Sequence, residues 1–194
     1  MKKTSIIAPF LFSLFIQAQD IHYSQFDKTK SLFNPSLIAN QNDDYEVQLH
    51  RRSQWYSVTV PFNTFSISFN AKEIYKSFSL GATVLNDVAG DSYFSTDGLS
   101  LSIVNLVNTK DNSLAIALQT AYYQRSVNYD NLIFLANEEL KNTKFSFFDI
   151  GLSISNHRIL DRNSSILFGI SSYHLNMPNQ TLTANEEVFL KPKY

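Results

Sequence analysis

The 194-residue sequence has no cysteine. Disulfides and thiolate chemistry are therefore excluded. An exported chain of this kind must draw its stability from its own sheet. Charge is sparse at 17%, and the formal net charge is −1. Such a balance offers no electrostatic basis for nucleic-acid binding. Beyond the first twenty residues there is no long apolar run. Helical membrane spans, which need about 18 or more such residues, are not expected. Gly-x-Ser-x-Gly is absent, which argues against a hydrolase of that type. His22, His50, His157 and His174 are scattered without His-x-Glu or His-x-x-x-His spacing, so no metal site is expected from them. Asp87, Asp91 and Asp97 flank Gly90, but they miss the EF-hand ligand spacing. A solvated Asp/Gly loop is the simpler account of them than a calcium site. Neither an enzyme nor a cofactor is indicated.

What is present begins with an export signal. Met1-Lys2-Lys3 is a short positive region, and Ile6 to Ile16 is mostly apolar. Ala18 is a suitable last residue before cleavage, although Ile16 at the −3 position is not small. Residues 1–18 read as a signal peptide and 19–194 as one domain. An uncleaved anchor is the alternative, but the segment is short and broken by Pro9 and Ser13.

The remainder is a ladder of alternating segments. Thr64-Phe65-Ser66-Ile67-Ser68-Phe69-Asn70 is the clearest, with an apolar residue at every second position. Period 2 gives a strand one oily and one wet face. Six further candidates are Tyr45–Arg52, Phe78–Asn86, Gly98–Leu106, Leu114–Gln124, Phe145–Ser155 and Ser165–His174. Mean hydropathy is only −0.15. Alternation conceals apolar surface of this kind, and aromatics are abundant at 14%. Gaps after the second, fourth and sixth strands are short, and the others are longer. Outer-membrane barrels share that asymmetry, with short periplasmic turns and long outer loops. The expected fold is therefore all-β, an antiparallel up-and-down transmembrane β-barrel. The wet faces are mainly Ser, Gly, Thr and Asn, which suits a tapered or plugged interior. A soluble β-sandwich shares the period, but its strands are usually shorter. Single-chain bacterial barrels have an even strand number of at least 8. Seven strands therefore predict part of a larger barrel, incomplete at the C-terminus.

Several stretches resemble the PorP/SprF family of type IX secretion system membrane proteins. Gln19-Asp20-Ile21-His22-Tyr23-Ser24-Gln25-Phe26 resembles the family's mature opening, and Asn34-Pro35-Ser36-Leu37 follows. Arg51-Arg52-Ser53-Gln54-Trp55 resembles its Arg-x-Gln-Trp element. Gly81 with Asn86-Asp87-Val88-Ala89-Gly90-Asp91 resembles its third strand and following loop. Tyr173-His174-Leu175-Asn176 with Pro178-Asn179-Gln180 resembles a late element. The resemblance implies an outer-membrane barrel, embedded in outer-membrane lipid, that works with other type IX components. It implies help in the export or surface attachment of a large adhesin-like client, in gliding or adhesion. A passive outer-membrane channel or uptake barrel is the alternative, and a soluble periplasmic binding protein is a third reading.

The candidate partner-binding residues follow from these elements. They are Arg51, Arg52, Gln54 and Trp55, then Asn86, Asp87, Gly90 and Asp91, then Tyr173, His174, Asn176 and Pro178. Trp55 is the only tryptophan and ranks first. Its rival explanation is a membrane rim, where aromatics and arginines meet lipid headgroups.

Overall fold

A computed structural model describes residues 29–57, 60–90, 92–128, 143–180 and 187–194. The signal-peptide reading at 1–18 and the expected opening at 19–26 lie outside the described residues, as does Asp91. The strands are β1 (Tyr45–Gln54), β2 (Phe62–Tyr75), β3 (Phe78–Ala89), β4 (Phe94–Asn108), β5 (Asn112–Val127), β6 (Thr143–Ile159) and β7 (Ser165–Ser172). They form one sheet in sequence order, and every neighbouring pair is antiparallel. The sheet curls into a half-barrel with β1 and β7 at its edges. None of the described helices is long and apolar enough to cross a membrane.

Each expected strand is present, and most run longer than the alternation implied. β4 starts at Phe94 rather than Gly98, and β5 continues through Arg125 to Val127. Ser95, Thr96, Asp97, Arg125 and Ser126 put polar side chains on both faces there, so period 2 fades while the backbone ladder continues. β2 extends to Tyr75 through a register irregularity after Ala71, with Glu73 at φ 47°. Only β7 is shorter than expected. It stops at Ser172, and His174 then adopts φ 58°, which turns the chain out of the ladder.

The odd-numbered strands end at one rim, where the connections 55–61, 90–93 and 128–142 lie. The opposite rim carries the tight turns 76–77, 109–111 and 160–164. The first is the long-loop end by virtue of the seven residues after β1 and the fifteen after β5, and the second is the short-turn end; the long gap expected after β3 is only four residues, because β3 runs on to Ala89 and β4 starts at Phe94. Asp161 shapes the last turn by accepting the Asn163 N–H at 2.8 Å. That bond, reinforced by Ser164, holds its carboxyl below the ordinary carboxylate range.

Burial is inverted relative to a soluble protein. Leu101 is 55% exposed, whereas its neighbour Ser102 is 7% exposed. The same alternation puts Val84, Leu99, Ile103, Leu118 and Leu152 outside, and Ser66, Ser68, Thr83, Ser100 and Ser153 inside. At about 3.4 Å per residue, the outer apolar stretch Leu114–Tyr122 is about 27 Å long and Phe148–Ile154 about 20 Å. The apolar band of an outer-membrane barrel is about 25 Å tall. Aromatic pairs stand near both borders: Tyr122 with Phe148 at 5.1 Å, and Tyr45 with Phe69 at 6.2 Å.

The interior is occupied. The one-turn helix α1 (Lys30–Phe33) and a 3-10 helix, Pro35–Asn40, lie within the curl. Ile38 and Ala39 join Val104, Leu106, Ala115 and Ala117 in a small apolar core near the short turns. The described segment Thr29–Gln41 is thus a plug.

Candidate functional site

The three elements that supply the candidate partner-binding residues meet at the long-loop end. Arg51, Arg52 and Gln54 close β1, and Trp55 follows at φ 62° with 60% exposure. A non-glycine residue in this left-handed region is uncommon. Asn86 and Asp87 close β3, and Gly90 turns the chain at φ 65°. Tyr173, His174, Asn176 and Pro178 follow β7.

Strand register sorts these residues by face. One inner row runs Arg52, Thr64, Asp87, Thr96, Arg125 across five strands. Thr64 Oγ1 donates to Asp87 Oδ1 at 2.5 Å. Arg125 Nη1 donates to Gln180 Oε1, which ties the late element into the same belt. The guanidinium of Arg125 also lies 5.2 Å from the Phe147 ring centre. The adjoining outer row runs Arg51, Phe65, Asn86, Asp97, Gln124. Asn86 Nδ2 donates to Asp97 Oδ1 at 2.7 Å. This row, polar but for Phe65, borders the apolar band. Asp87 and Asp97 face opposite sides of the sheet, which separates two of the three aspartates considered for calcium.

The late element caps an edge. Leu175 N–H donates to the Ile150 carbonyl at 3.0 Å. Asn176 then imitates a strand with its side chain. Its Oδ1 accepts the Ile150 N–H at 3.1 Å, and its Nδ2 donates to the Phe148 carbonyl at 2.7 Å. Residues 187–194 fold back on it through Tyr173–Lys193 and Asn179–Phe189 bridges. Pro178 is buried, and its carbonyl accepts the Leu190 N–H.

Sequence reasoning missed two residues here. Asp149 is a buried acid on the inner face of β6, and its Oδ1 lies 3.0 Å from Nδ1 of His174. Its signal was an isolated acid at a wet position among Ser and Gly. Arg125 was assigned to a loop because the alternation ends before it. Both line a cavity of about 380 Å³ between the plug and the late element. Tyr123, Phe147 and Tyr173 give that cavity aromatic walls, and Leu32 and Phe33 floor it. Among the described residues no group of His, Asp or Glu is arranged to hold a metal.

A sheet with an oily exterior, a hydroxyl-lined interior and one loop-rich end defines a membrane protein of the β-barrel class. A family model described as type IX secretion system membrane protein PorP/SprF matches residues 16–194. The chain belongs to this family, and it is a membrane component of the type IX secretion system. No curated protein and no solved structure matches it.

Proposed function

We propose that this protein is a non-enzymatic outer-membrane component that helps export or retain a large adhesin-like client at the cell surface. It would arrive through a signal peptide, residues 1–18, cleaved before residue 19. The supporting observation is the convergence of the three elements that supply the candidate residues on one loop-rich end. Arg52, Asp87 and Gln180 share or touch one belt there, and Trp55 projects beside it. In this reading Arg51, Arg52, Gln54, Trp55, Asn86, Asp87, Gly90, Asp91, Tyr173, His174, Asn176 and Pro178 form or shape the client-facing rim. A passive channel is less well supported, because the plug fills the short-turn half of the interior.

The test is affinity purification of the tagged full chain from outer membranes. A much larger surface protein should co-purify, and Trp55→Ala should reduce its recovery several-fold at unchanged barrel level. Recovery of the chain in the soluble periplasmic fraction would overturn the reading, as would a normal surface display of large proteins in its deletion strain.

A further inference from the structure

We infer that the inner wall is a peptide-binding site whose occupant is the chain's own Thr29–Gln41 segment, and that this plug leaves its seat during export. The inference rests on the export reading above. It begins with how the segment is held. Side-chain hydrogen bonds tie it to the strands and to Tyr173. Ser36 N–H donates to Ser153 Oγ at 3.0 Å, and Asn40 Nδ2 to Ser155 Oγ at 3.2 Å. Asn70 Nδ2 donates to Ser31 Oγ at 3.3 Å. Ser171 Oγ donates to the Phe33 carbonyl at 2.6 Å, and the Tyr173 hydroxyl to the Leu32 carbonyl at 3.1 Å. A peptide ligand is held in the same way, with polar wall groups meeting its backbone.

The wall is also cut to the occupant. A Cβ on Gly81 would lie 2.5 Å from Cδ1 of Ile38, and one on Gly169 would lie 2.7 Å from Nδ2 of Asn34. These glycines stand on β3 and β7, on opposite flanks of the same turn. Any larger side chain at either position would collide with the plug.

The plug carries its own shape. Asn34 Oδ1 accepts from Ser36 N–H at 3.1 Å and from Ser36 Oγ at 2.6 Å. Pro35 fixes the first position of the 3-10 helix. This Asx-type turn needs no wall group to close it, so the segment can leave as a unit. Water can replace every hydroxyl contact it gives up. The strand ladders, by contrast, have no such replacement in lipid.

The cysteine-free sequence makes the test direct. Ser36→Cys with Ser153→Cys joins plug to wall, and Ser68→Cys with Thr83→Cys joins two wall positions as a control. Both are introduced into the full chain and oxidised in whole cells, and client display at the surface is measured. The plug–wall bond should form and abolish display, and reductant should restore it. The control bond should leave display intact. Display that continues with the plug locked would overturn the inference, as would failure of the plug–wall pair to form while both thiols accept maleimide. Failure of the export reading is distinguishable: deletion of the whole gene would then leave display unchanged.

Discussion

The inner wall changes character along its length. Toward the short turns it is small and filled: Gly81, Ala115, Ala117, Ser153 and Ser155 receive Ile38, Ala39 and the Asn34 turn. Toward the long loops it is charged and aromatic, and it surrounds open space: Arg125, Asp149, Tyr123 and Phe147 border the 380 Å³ cavity. Within its band the outer face makes no such distinction: Leu99, Phe148 and Ile150 lie outside the cavity half, and Ile103, Val107 and Ile154 outside the filled half. Uniformity outside is what a membrane β-barrel requires, because lipid would be the same at every point of such a band. Difference inside answers to contents, a seated segment in one half and free volume in the other.

The largest expected effect tests the uniform face. Leu101→Arg should cost about 2–4 kcal/mol, the penalty for a cation near the bilayer midplane. Urea titration of the chain refolded in liposomes would read it. A cost near zero, as for an exposed side chain in water, would break the contrast between outside and inside.

Next comes the contrast along the wall itself. Gly81→Leu drives a side chain into Ile38 and should destabilise by about 1–3 kcal/mol through overpacking. Ser100→Leu, on the cavity border, should cost clearly less because space is available there. Equal losses in the same titration would mean that the two halves are equally packed.

Asn176→Ala should cost about 1–2 kcal/mol, because it leaves the Ile150 N–H and the Phe148 carbonyl without their side-chain partner. Faster amide exchange at Ile150, with Leu118 unchanged, would localise the loss to the capped edge.

The smallest effect concerns the Asp161 turn. Its folded carboxyl titrates below the ordinary value, so its contribution is complete above the unfolded carboxylate range. It fades as pH falls through the lower folded value. Protection of the Asn163 and Ser164 amides, taken relative to their intrinsic exchange rates, should therefore fall at low pH, and Asp161→Asn should remove that dependence.

Much of this was legible in the sequence, for physical reasons. Ser66-Ile67-Ser68 declared both faces because lipid and lumen demand opposite side chains at alternate positions. The meeting of Trp55, Asp87 and Tyr173 at one end followed from strand parity alone. The split of Asn86 and Asp87 onto opposite faces was equally readable from their adjacency. Strand ends were not, because Ser95, Thr96 and Arg125 lie where neither face need be apolar. The plug was invisible as a plug. Its burial depends on hydroxyls more than a hundred residues away, at Ser153 and Ser155. The Asp149–His174 contact was hidden in the same manner, one partner in a strand and the other in a motif.

Strand direction has an arithmetical consequence. β1 and β7 open the two edges of the sheet, and both run from the short-turn rim toward the long-loop rim. Bringing these edges together directly would create a parallel joint in a sheet whose other joints are all antiparallel. A ring that keeps one kind of joint throughout must therefore insert an odd number of strands between them. Whatever completes the circle is bound by that parity before any of its side chains is considered.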